Sequence, residues 1–192
     1  MNKPLFLFVG RSASGKTTIA NVLSEKYGYK QVESYATRSP RFDGETGHIF
    51  VSEDDFLNLG ELAAYTYYND NHYGTTFNQL NECDIYVIDV PGVESLLKKL
   101  EKDDRLICIF YFEASTYNRI IRMLDRSDNE KMVISRLLED ERFDWFKKLD
   151  SLVWHYNNIA GKNVDLYNIN ANSDTQSVVE MVLYYIGRYV EV

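Results

Sequence analysis

A chain of 192 residues is long enough to bury one substantial hydrophobic core and too short for two full domains. Hydrophobic residues make up 45% and charged residues 26%, as in ordinary globular proteins, and the formal net charge of -8 argues against a non-specific nucleic-acid or membrane-surface binder. Cys83 and Cys108 lack metal or redox spacing. We therefore predict one domain in the reducing cytoplasm, with no signal peptide and no transmembrane helix, because no apolar run is long enough for either.

The first functional signal is a glycine-rich stretch near the N-terminus. It matches the P-loop pattern G-x-x-x-x-G-K-[ST] and consists of Gly10, Arg11, Ser12, Ala13, Ser14, Gly15, Lys16, Thr17 and Thr18. Small residues let consecutive backbone N–H groups turn inward around a phosphate chain, next to the positive end of the following helix. We therefore predict that this stretch binds nucleotide phosphates, with Lys16 as a catalytic cation and the Thr17 hydroxyl on Mg²⁺.

The surroundings of the loop predict an α/β protein. Residues 5–9 form an unbroken apolar run, short enough for a buried parallel strand, and apolar side chains then repeat at helical spacing until Gly28. Two more apolar runs predict further strands: the first, within residues 84–93, ends at Asp89, and the second, over residues 105–112, is expected in the centre of the sheet. The expected fold is therefore a three-layer P-loop fold with a central, mainly parallel sheet.

Residues 34–50 break this pattern. The segment is polar, is interrupted by one proline and two glycines, and carries Arg38 and Arg41 close together. Such a loop cannot bury itself, so we expect it to lie over a cleft. A strand over residues 61–68 follows, ending at a polar turn. Together these features predict a small β-rich insert over residues 34–75.

The order of these segments resembles the guanylate kinase family over roughly residues 5–170. Ser34, Arg38 and Arg41 match a serine and two arginines of that family, and residues 47–52 match a turn in which His48 replaces the family's tyrosine. The stretch 72–75 resembles the family's Tyr-Tyr-Gly-Ser/Thr step. Residues 89–93 resemble a third feature of the family, a strand that ends in Asp and continues as x-x-Gly-Val. The resemblance implies a β-rich site for a nucleoside monophosphate beside the P-loop.

The resemblance also implies a role for each residue of that site. The substrate-binding residues are expected to be Ser34, Arg38, Arg41, His48, Tyr73, Thr75 and Asp89. The two arginines and the tyrosine would anchor the acceptor phosphate, while the serine, threonine and aspartate would surround the base. The family's guanine-reading glutamate falls at Ala64, which cannot accept a hydrogen bond, and Glu61 could replace it only if the strand register shifts.

A second cationic feature lies in the helix predicted to begin at residue 115 or 116. Arg119, Arg122 and Arg126 fall at i, i+3 and i+7 on one helix face, where like charges repel unless an anion lies opposite. Acidic neighbours at positions 125, 128 and 130 could neutralise them, or a helical lid could close over phosphates. The family's lid arginines imply that Arg122, Arg126 and Arg136 are catalytic; Arg142 is expected on the helix surface.

The remaining elements complete a single domain. We expect a short strand over residues 29–35, helices over 93–101 and 144–152, a polar loop over 154–162, a strand over 164–169 and a closing helix over 173–189. In this scheme the core consists of residues 1–33, 76–118 and 150–192, the insert of residues 34–75 and the lid of residues 119–149. The three histidines have no ligand spacing, so no structural metal is expected.

The resemblance implies ATP-dependent phosphorylation of a nucleoside monophosphate, GMP or dGMP, with Mg²⁺ as cofactor and ATP as donor. Its partners would be nucleotide substrates, without nucleic acid or membrane, and the protein would be a monomer or homodimer. Three alternatives stay open: a kinase for another nucleotide or a sugar phosphate, a non-catalytic interaction module, and an NTPase without an acceptor. The intact Lys16 and Thr17 disfavour the module, and the paired arginines disfavour the NTPase.

Overall fold

The fold is described from a computed structural model that covers residues 3–40, 43–100, 105–126, 128–142 and 144–190. Its strands and helices, in chain order, are β1 (Leu5–Val9), α1 (Lys16–Tyr27), β2 (Ser34–Ala36), β3 (His48–Phe50), α2 (Glu53–Leu57), β4 (Leu62–Tyr68), β5 (Asn71–Thr76), α3 (Phe77–Glu82), β6 (Ile85–Val87), α4 (Val90–Lys99), β7 (Ile107–Glu113), α5 (Thr116–Asp125), α6 (Glu130–Glu141), α7 (Trp145–Asn158), β8 (Val164–Asn170) and α8 (Thr175–Val190).

The central sheet is parallel, in the strand order β6-β1-β7-β8. Strands β1 and β7 occupy its middle, and every residue of β1 is buried. A strand buried on both faces has no need for alternating polar side chains, which explains why the sequence of these strands is continuously apolar. The carboxyl ends of the parallel strands meet at one edge, where open α/β sheets bind ligands.

Helices cover both faces of this sheet. Leu5, Leu7 and Val9 of β1 point into a core closed by α4 and α7, whereas Phe6 and Phe8 point into a core closed by α1 and α8. These two cores make three layers, so the predicted α/β P-loop fold is confirmed. In the described parts of the chain, no helix is long and apolar enough to cross a bilayer.

A second, smaller sheet lies within the stretch predicted as an insert. Its strand order is β3-β2-β5-β4, with β2 parallel to β3 and antiparallel to β5. Strands β4 and β5 form a hairpin whose turn residues, Asn69 and Asp70, have positive φ angles of 47° and 56°, as a tight hairpin turn requires. Strand β4 packs on α4 of the core, and this contact fixes the small sheet beside the P-loop.

Two helices of the predicted lid follow β7. Helix α5 is capped by Ser115, whose side chain accepts a hydrogen bond from the Asn118 backbone, and α6 is capped in the same way by Asn129, which accepts from the Met132 backbone. Of α5, Arg119 and Met123 are buried, so this helix packs on the core through a polar as well as an apolar side chain. The two helices contact each other as a hairpin.

Several predicted boundaries were wrong. Helix α4 begins at Val90 and not at residue 93, because the Asp89 side chain caps it. The expected polar loop over 154–162 is wrong for its first part, because α7 continues to Asn158 and buries Tyr156. The expected strand over 29–35 is reduced to β2, with a single bridge from Gln31 to β6.

Candidate active site

The P-loop connects β1 to α1 at the carboxyl edge of the central sheet. Gly10 has a φ of 148°, and a Cβ atom there would lie 2.5 Å from the carbonyl oxygen of Phe112 on β7. Only glycine lets the loop pass so close to the neighbouring strand. Gly15, with a φ of 99°, precedes α1 without a side-chain cap, so the first N–H groups of α1 face the loop concavity. The backbone is therefore arranged for an anion.

Lys16 spans the loop from inside. Its Nζ donates to the carbonyl oxygens of Gly10 and Arg11, at 2.7 and 2.9 Å, and lies 3.3 Å from Ser14 Oγ. Burial lowers the pKa of Lys16 to about 8, although the nearby Asp140 carboxylate opposes this shift. A desolvated ammonium group held at the mouth of a backbone nest is suited to bind phosphate oxygens.

A cavity of about 440 Å³ opens between the P-loop and the small sheet. Its polar lining comes from three places: the P-loop, the small sheet, and the end of β6 with the lid. The predicted site residues among its walls are Gly10, Arg11, Ser12, Lys16, Ser34, His48, Tyr73 and Asp89. The structure thus brings predicted donor and acceptor residues, far apart in sequence, to one space.

Ser34, His48 and Tyr73 form the wall contributed by β2, β3 and β5. Ser34 and His48 are paired across the parallel strands β2 and β3, and their Oγ and Nδ1 atoms are 2.9 Å apart. The His48 and Tyr73 rings pack edge to face at 5.9 Å. This cluster offers hydroxyl and imidazole groups to a ligand from a single rigid surface.

Asp89 lies between β6 and α4 and also lines the cavity. Its Oδ1 accepts hydrogen bonds from the Gly92 backbone, at 2.7 Å, and from Thr66 Oγ1 of β4, at 3.0 Å. Burial raises the pKa of Asp89, while the two hydrogen bonds act against that shift. Asp89 therefore does more than cap α4, because the same carboxylate lines the cavity and holds β4 in place.

The base-reading position predicted at Ala64 lies on β4 in the cavity wall, where Ala64 is 1% exposed. The strand register does shift between Leu62 and Ala64. However, Glu61 is exposed and pairs with Lys99 of α4 at 3.1 Å, outside the cavity lining. Glu61 therefore does not replace the missing glutamate in this structure.

Thr75 is fully buried beside Tyr86, whose pKa is raised mainly by burial.

Arg38 is held by a neighbour of opposite charge. Its Nη1 and Nη2 atoms donate to both carboxylate oxygens of Glu45, at 2.9 and 2.6 Å, and its guanidinium lies 5.0 Å from the Phe50 ring centre. Bidentate pairing and stacking fix the plane of the group. Arg41, the other predicted phosphate anchor, lies outside the described residues.

The predicted lid arginines have two different environments. Arg122 donates to the carbonyl oxygen of Ala171, at 2.7 Å, and lies near the P-loop carbonyl of Ala13. Arg126 pairs with Asp128, so the alternative that an acidic neighbour neutralises the arginines of the α5 face holds for Arg126. Asp128 also pairs with Arg136 of α6. Arg142 is exposed and pairs with Glu139, as expected for a helix surface.

A second cavity, of about 330 Å³, lies on the other side of the P-loop. Its lining includes the loop from Ala13 to Thr18, with Arg122 and Arg126 from α5 and residues that follow β8. The Thr17 side chain is exposed here. In the described ranges, no group of three or more His, Cys, Asp or Glu side chains is placed to hold a metal. A metal in this cavity would depend on the Thr17 hydroxyl, on the Asp125 carboxylate that also lines it, and on ligand oxygens.

Two residues that contact the P-loop are missed by sequence reasoning. The helical spacing places Arg119 on the lid face without a role, and no pattern singles out Asp140. In the structure, Arg119 Nε donates to the carbonyl oxygen of Ser12 at 2.8 Å, and the Ser12 N–H donates to Asp140 Oδ2 at 3.1 Å. The sequence signal for this contact is indirect: an arginine on the buried side of an amphipathic helix needs a carboxylate partner.

A P-loop on a parallel sheet, a second wall that closes the same cavity and an arginine-bearing lid define a nucleoside monophosphate kinase. No protein-family model matches the chain. It is 30% identical over 148 residues to the guanylate kinase of Geobacter metallireducens. The aligned region covers 70% of this chain and 71% of that protein. The chain therefore belongs to the guanylate kinase family, which confirms the predicted resemblance.

Two further comparisons agree with this assignment. The guanylate kinase of Chlorobium luteolum is 28% identical over 152 residues, covering 73% of this chain and 76% of the relative. The crystal structure of guanylate kinase from Anaplasma phagocytophilum matches with a TM-score of 0.51, covering 99% of this chain and 88% of that one, at 15% sequence identity. The last match supports the fold alone.

Proposed function

We propose that this chain transfers the γ-phosphoryl group of ATP to the 5′-phosphate of a guanine nucleotide, GMP or dGMP. The observation that carries the proposal is the 440 Å³ cavity, which is lined both by the P-loop with Lys16 and by Ser34, Tyr73 and Asp89 of the acceptor walls. Phosphoryl transfer requires donor and acceptor to meet in one space, and a cavity lined by both sets of residues supports such a meeting.

On the donor side, the backbone from Gly10 to Thr18 would hold the ATP phosphates, with Lys16 as their cation. Thr17 would hold the magnesium ion together with phosphate oxygens, because hydroxyl and phosphate oxygens are the hard ligands that Mg²⁺ prefers. When bound, the ion neutralises charge that develops on the transferred group. The exposed position of Thr17 in the second cavity supports this role.

On the acceptor side, Arg38, Arg41 and Tyr73 would bind the 5′-phosphate. Three residues that line the cavity would surround the base: Ser34, His48 and Asp89. Thr75, also expected beside the base, is fully buried and is not part of the cavity lining. Because the attacking phosphate oxygen is already an anion, no side chain needs to remove a proton. Catalysis would rest on positioning and on charge stabilisation.

The lid arginines Arg122, Arg126 and Arg136 would stabilise the equatorial oxygens of the transferred group. Arg126 and Arg136 share Asp128, which offsets part of the repulsion between two neighbouring cations. Closure would exchange the Asp128 contacts for phosphate oxygens. Arg122 is already beside the P-loop, 3.6 Å from the point where a Cβ atom on Gly15 would lie.

One observation favours a second acceptor. Ala64 provides no hydrogen-bond acceptor at the position expected to read guanine, and Glu61 is turned toward Lys99. Among the described side chains, three carboxylates line the cavity: Asp89 after β6, and Glu139 and Asp140 on α6, of which Asp140 pairs with Arg119. A base edge read by Asp89 alone is discriminated less well than one read by two carboxylates. A nucleotide with another base, or a sugar phosphate, would use the same chemistry.

A coupled phosphotransfer assay with Mg·ATP against ribo- and deoxyribonucleoside monophosphates tests both candidates. A kcat/KM for GMP or dGMP at least about tenfold above that for the other bases supports the first proposal. Preference for another base or for a sugar phosphate would transfer the assignment to the second. Mg·ATP binding without transfer to any acceptor would contradict both.

A further inference from the structure

The Ser12 peptide group of the P-loop is bound on two sides by lid residues. Arg119 Nε donates to the Ser12 carbonyl oxygen at 2.8 Å, the Ser12 N–H donates to Asp140 Oδ2 at 3.1 Å, and Arg119 and Asp140 form an ion pair with each other. We call this arrangement of Arg119, Asp140 and the Ser12 peptide the Ser12 clamp. We propose that Arg119 and Asp140 are positioning residues that hold the P-loop in the shape that receives the donor phosphates.

A donor on one side and an acceptor on the other fix the orientation of a residue's backbone. The first half of the P-loop belongs to neither strand nor helix, and in the described residues its internal backbone-to-backbone bond runs from the Ser14 N–H to the Arg11 carbonyl oxygen, at 3.2 Å. With the Ser12 peptide held, the N–H groups at the start of α1 keep their direction toward a phosphate. The clamp therefore acts on phosphate binding through the backbone.

The burial of the pair also favours a positioning role. Arg119 has 0% exposed surface, and the Asp140 side chain is 13% exposed. Buried ion pairs contribute little net stability, because desolvation of both charges offsets their attraction. Moreover, Arg119 Nη1 is buried and makes no hydrogen bond within the described residues, which a purely stabilising contact would avoid. What the pair does achieve is the orientation of one peptide.

The clamp links both lid helices to the donor site. Arg119 lies on α5 and Asp140 near the end of α6, and a second pair, Arg11 with Glu141 at 3.0 Å, lies beside it at the surface. Movement of the lid away from the core would remove both partners of the Ser12 peptide at once. The clamp thus couples lid position to P-loop conformation, and this inference rests on the proposed use of the loop for ATP.

The test separates positioning from stability by replacing the whole ion pair. The double variant Arg119→Met/Asp140→Leu removes both buried charges together, so a thermal midpoint at or above that of the wild type is expected. Its KM for Mg·ATP should nevertheless rise about tenfold, while the KM for the acceptor changes less than about twofold. Arg119→Lys, which keeps the charge but loses the planar fork, should show the same split to a smaller degree.

Arg142→Lys is the matched control, because it makes the same change on an exposed arginine at the end of α6 that pairs with Glu139. It should leave both KM values unchanged. A stable double variant with the wild-type KM for Mg·ATP, or with a lower one, would overturn the clamp. So would a parallel rise of both KM values together with a lower thermal midpoint. If neither the wild type nor Arg142→Lys transfers a phosphoryl group from Mg·ATP, the proposed function is wrong. That outcome is distinct from failure of the clamp, which requires an active wild type and an active control.

Discussion

Thr66 Oγ1 donates a hydrogen bond to Asp89 Oδ1 over 3.0 Å, and this bond joins β4 of the small sheet to the end of β6 in the central sheet. The same carboxylate oxygen accepts the Gly92 N–H at 2.7 Å, so the carboxylate is fixed from two elements. A carboxylate held by two donors can present its remaining lone pairs in a defined direction. The acceptor pocket therefore depends on a contact that spans the two sheets.

Replacing Thr66 by valine tests that contact, because valine keeps the shape and loses the hydroxyl. We expect the KM for the acceptor to rise at least about tenfold, in line with the loss of one hydrogen bond to a charged group, while the KM for Mg·ATP stays unchanged. Thr66→Ser, which keeps the donor, is the control. Steady-state kinetics with each substrate varied in turn gives both values, and an equal rise in both would contradict the assignment.

Asp89 also predicts a pH dependence. Burial raises its pKa above that of a free aspartate, so protonation begins at a higher pH than usual as the solution is acidified. If the ionised carboxylate accepts hydrogen bonds from the base, acceptor affinity is full above the raised pKa and falls as the pH drops through it. A pH profile of the acceptor KM should show this loss, and Asp89→Asn should flatten it. The same loss in the asparagine variant would rule out Asp89 as its source.

Arg126 provides the test of the lid. Its side chain is 48% exposed and its partner is Asp128, so its removal should cost little stability. If it stabilises the transferred group, Arg126→Ala should lower kcat about a thousandfold and change the acceptor KM less than about threefold. Arg142→Ala, another exposed lid arginine with an acidic partner, should leave kcat at the wild-type value. An unchanged kcat in Arg126→Ala would remove this arginine from the catalytic set.

The central fold was predictable because its signals are local. The continuous apolar run of β1, the glycines of the P-loop and the helical spacing before Gly28 each follow from residues adjacent in sequence, and the structure has them in that order. The helix boundary after residue 152 was missed for a local reason as well. Leu149, Val153 and Tyr156 continue the buried stripe of α7, but the polar residues that begin with Asn157 and Asn158 resembled a loop.

The finer details of the site depend on contacts that no local pattern encodes. Ser12 and Asp140 are separated by 128 positions, and Thr66 and Asp89 by 23. Asp128 was one of three acidic candidates, and only the folded geometry shows that it pairs with both Arg126 and Arg136. Side-chain pairs of this kind depend on how the two sheets and the lid pack against one another. The positions of the strands and helices along the sequence do not specify that packing.

Ala64 permits a gain-of-specificity prediction. It lies in the cavity wall with 1% of its surface exposed, on the strand that also carries Thr66. Ala64→Glu would place a second carboxylate at the pocket, where guanine offers N–H donors and adenine offers fewer. We expect the ratio of kcat/KM for GMP to that for AMP to rise at least about tenfold, since a partner that must be hydrogen-bonded penalises a base that cannot pair. Ala64→Gln, neutral and of equal size, should raise the ratio less.

The same variant makes a prediction about stability that does not depend on turnover. A buried carboxylate without a partner is costly, so Ala64→Glu should unfold at a lower temperature than the wild type in the absence of nucleotide. GMP, by pairing with the new carboxylate, should restore more of the thermal midpoint than AMP at the same concentration, because only a ligand that binds the folded state more tightly shifts unfolding further. Equal shifts with both nucleotides would mean that the introduced carboxylate does not face the base, and that β4 reads the acceptor by another residue.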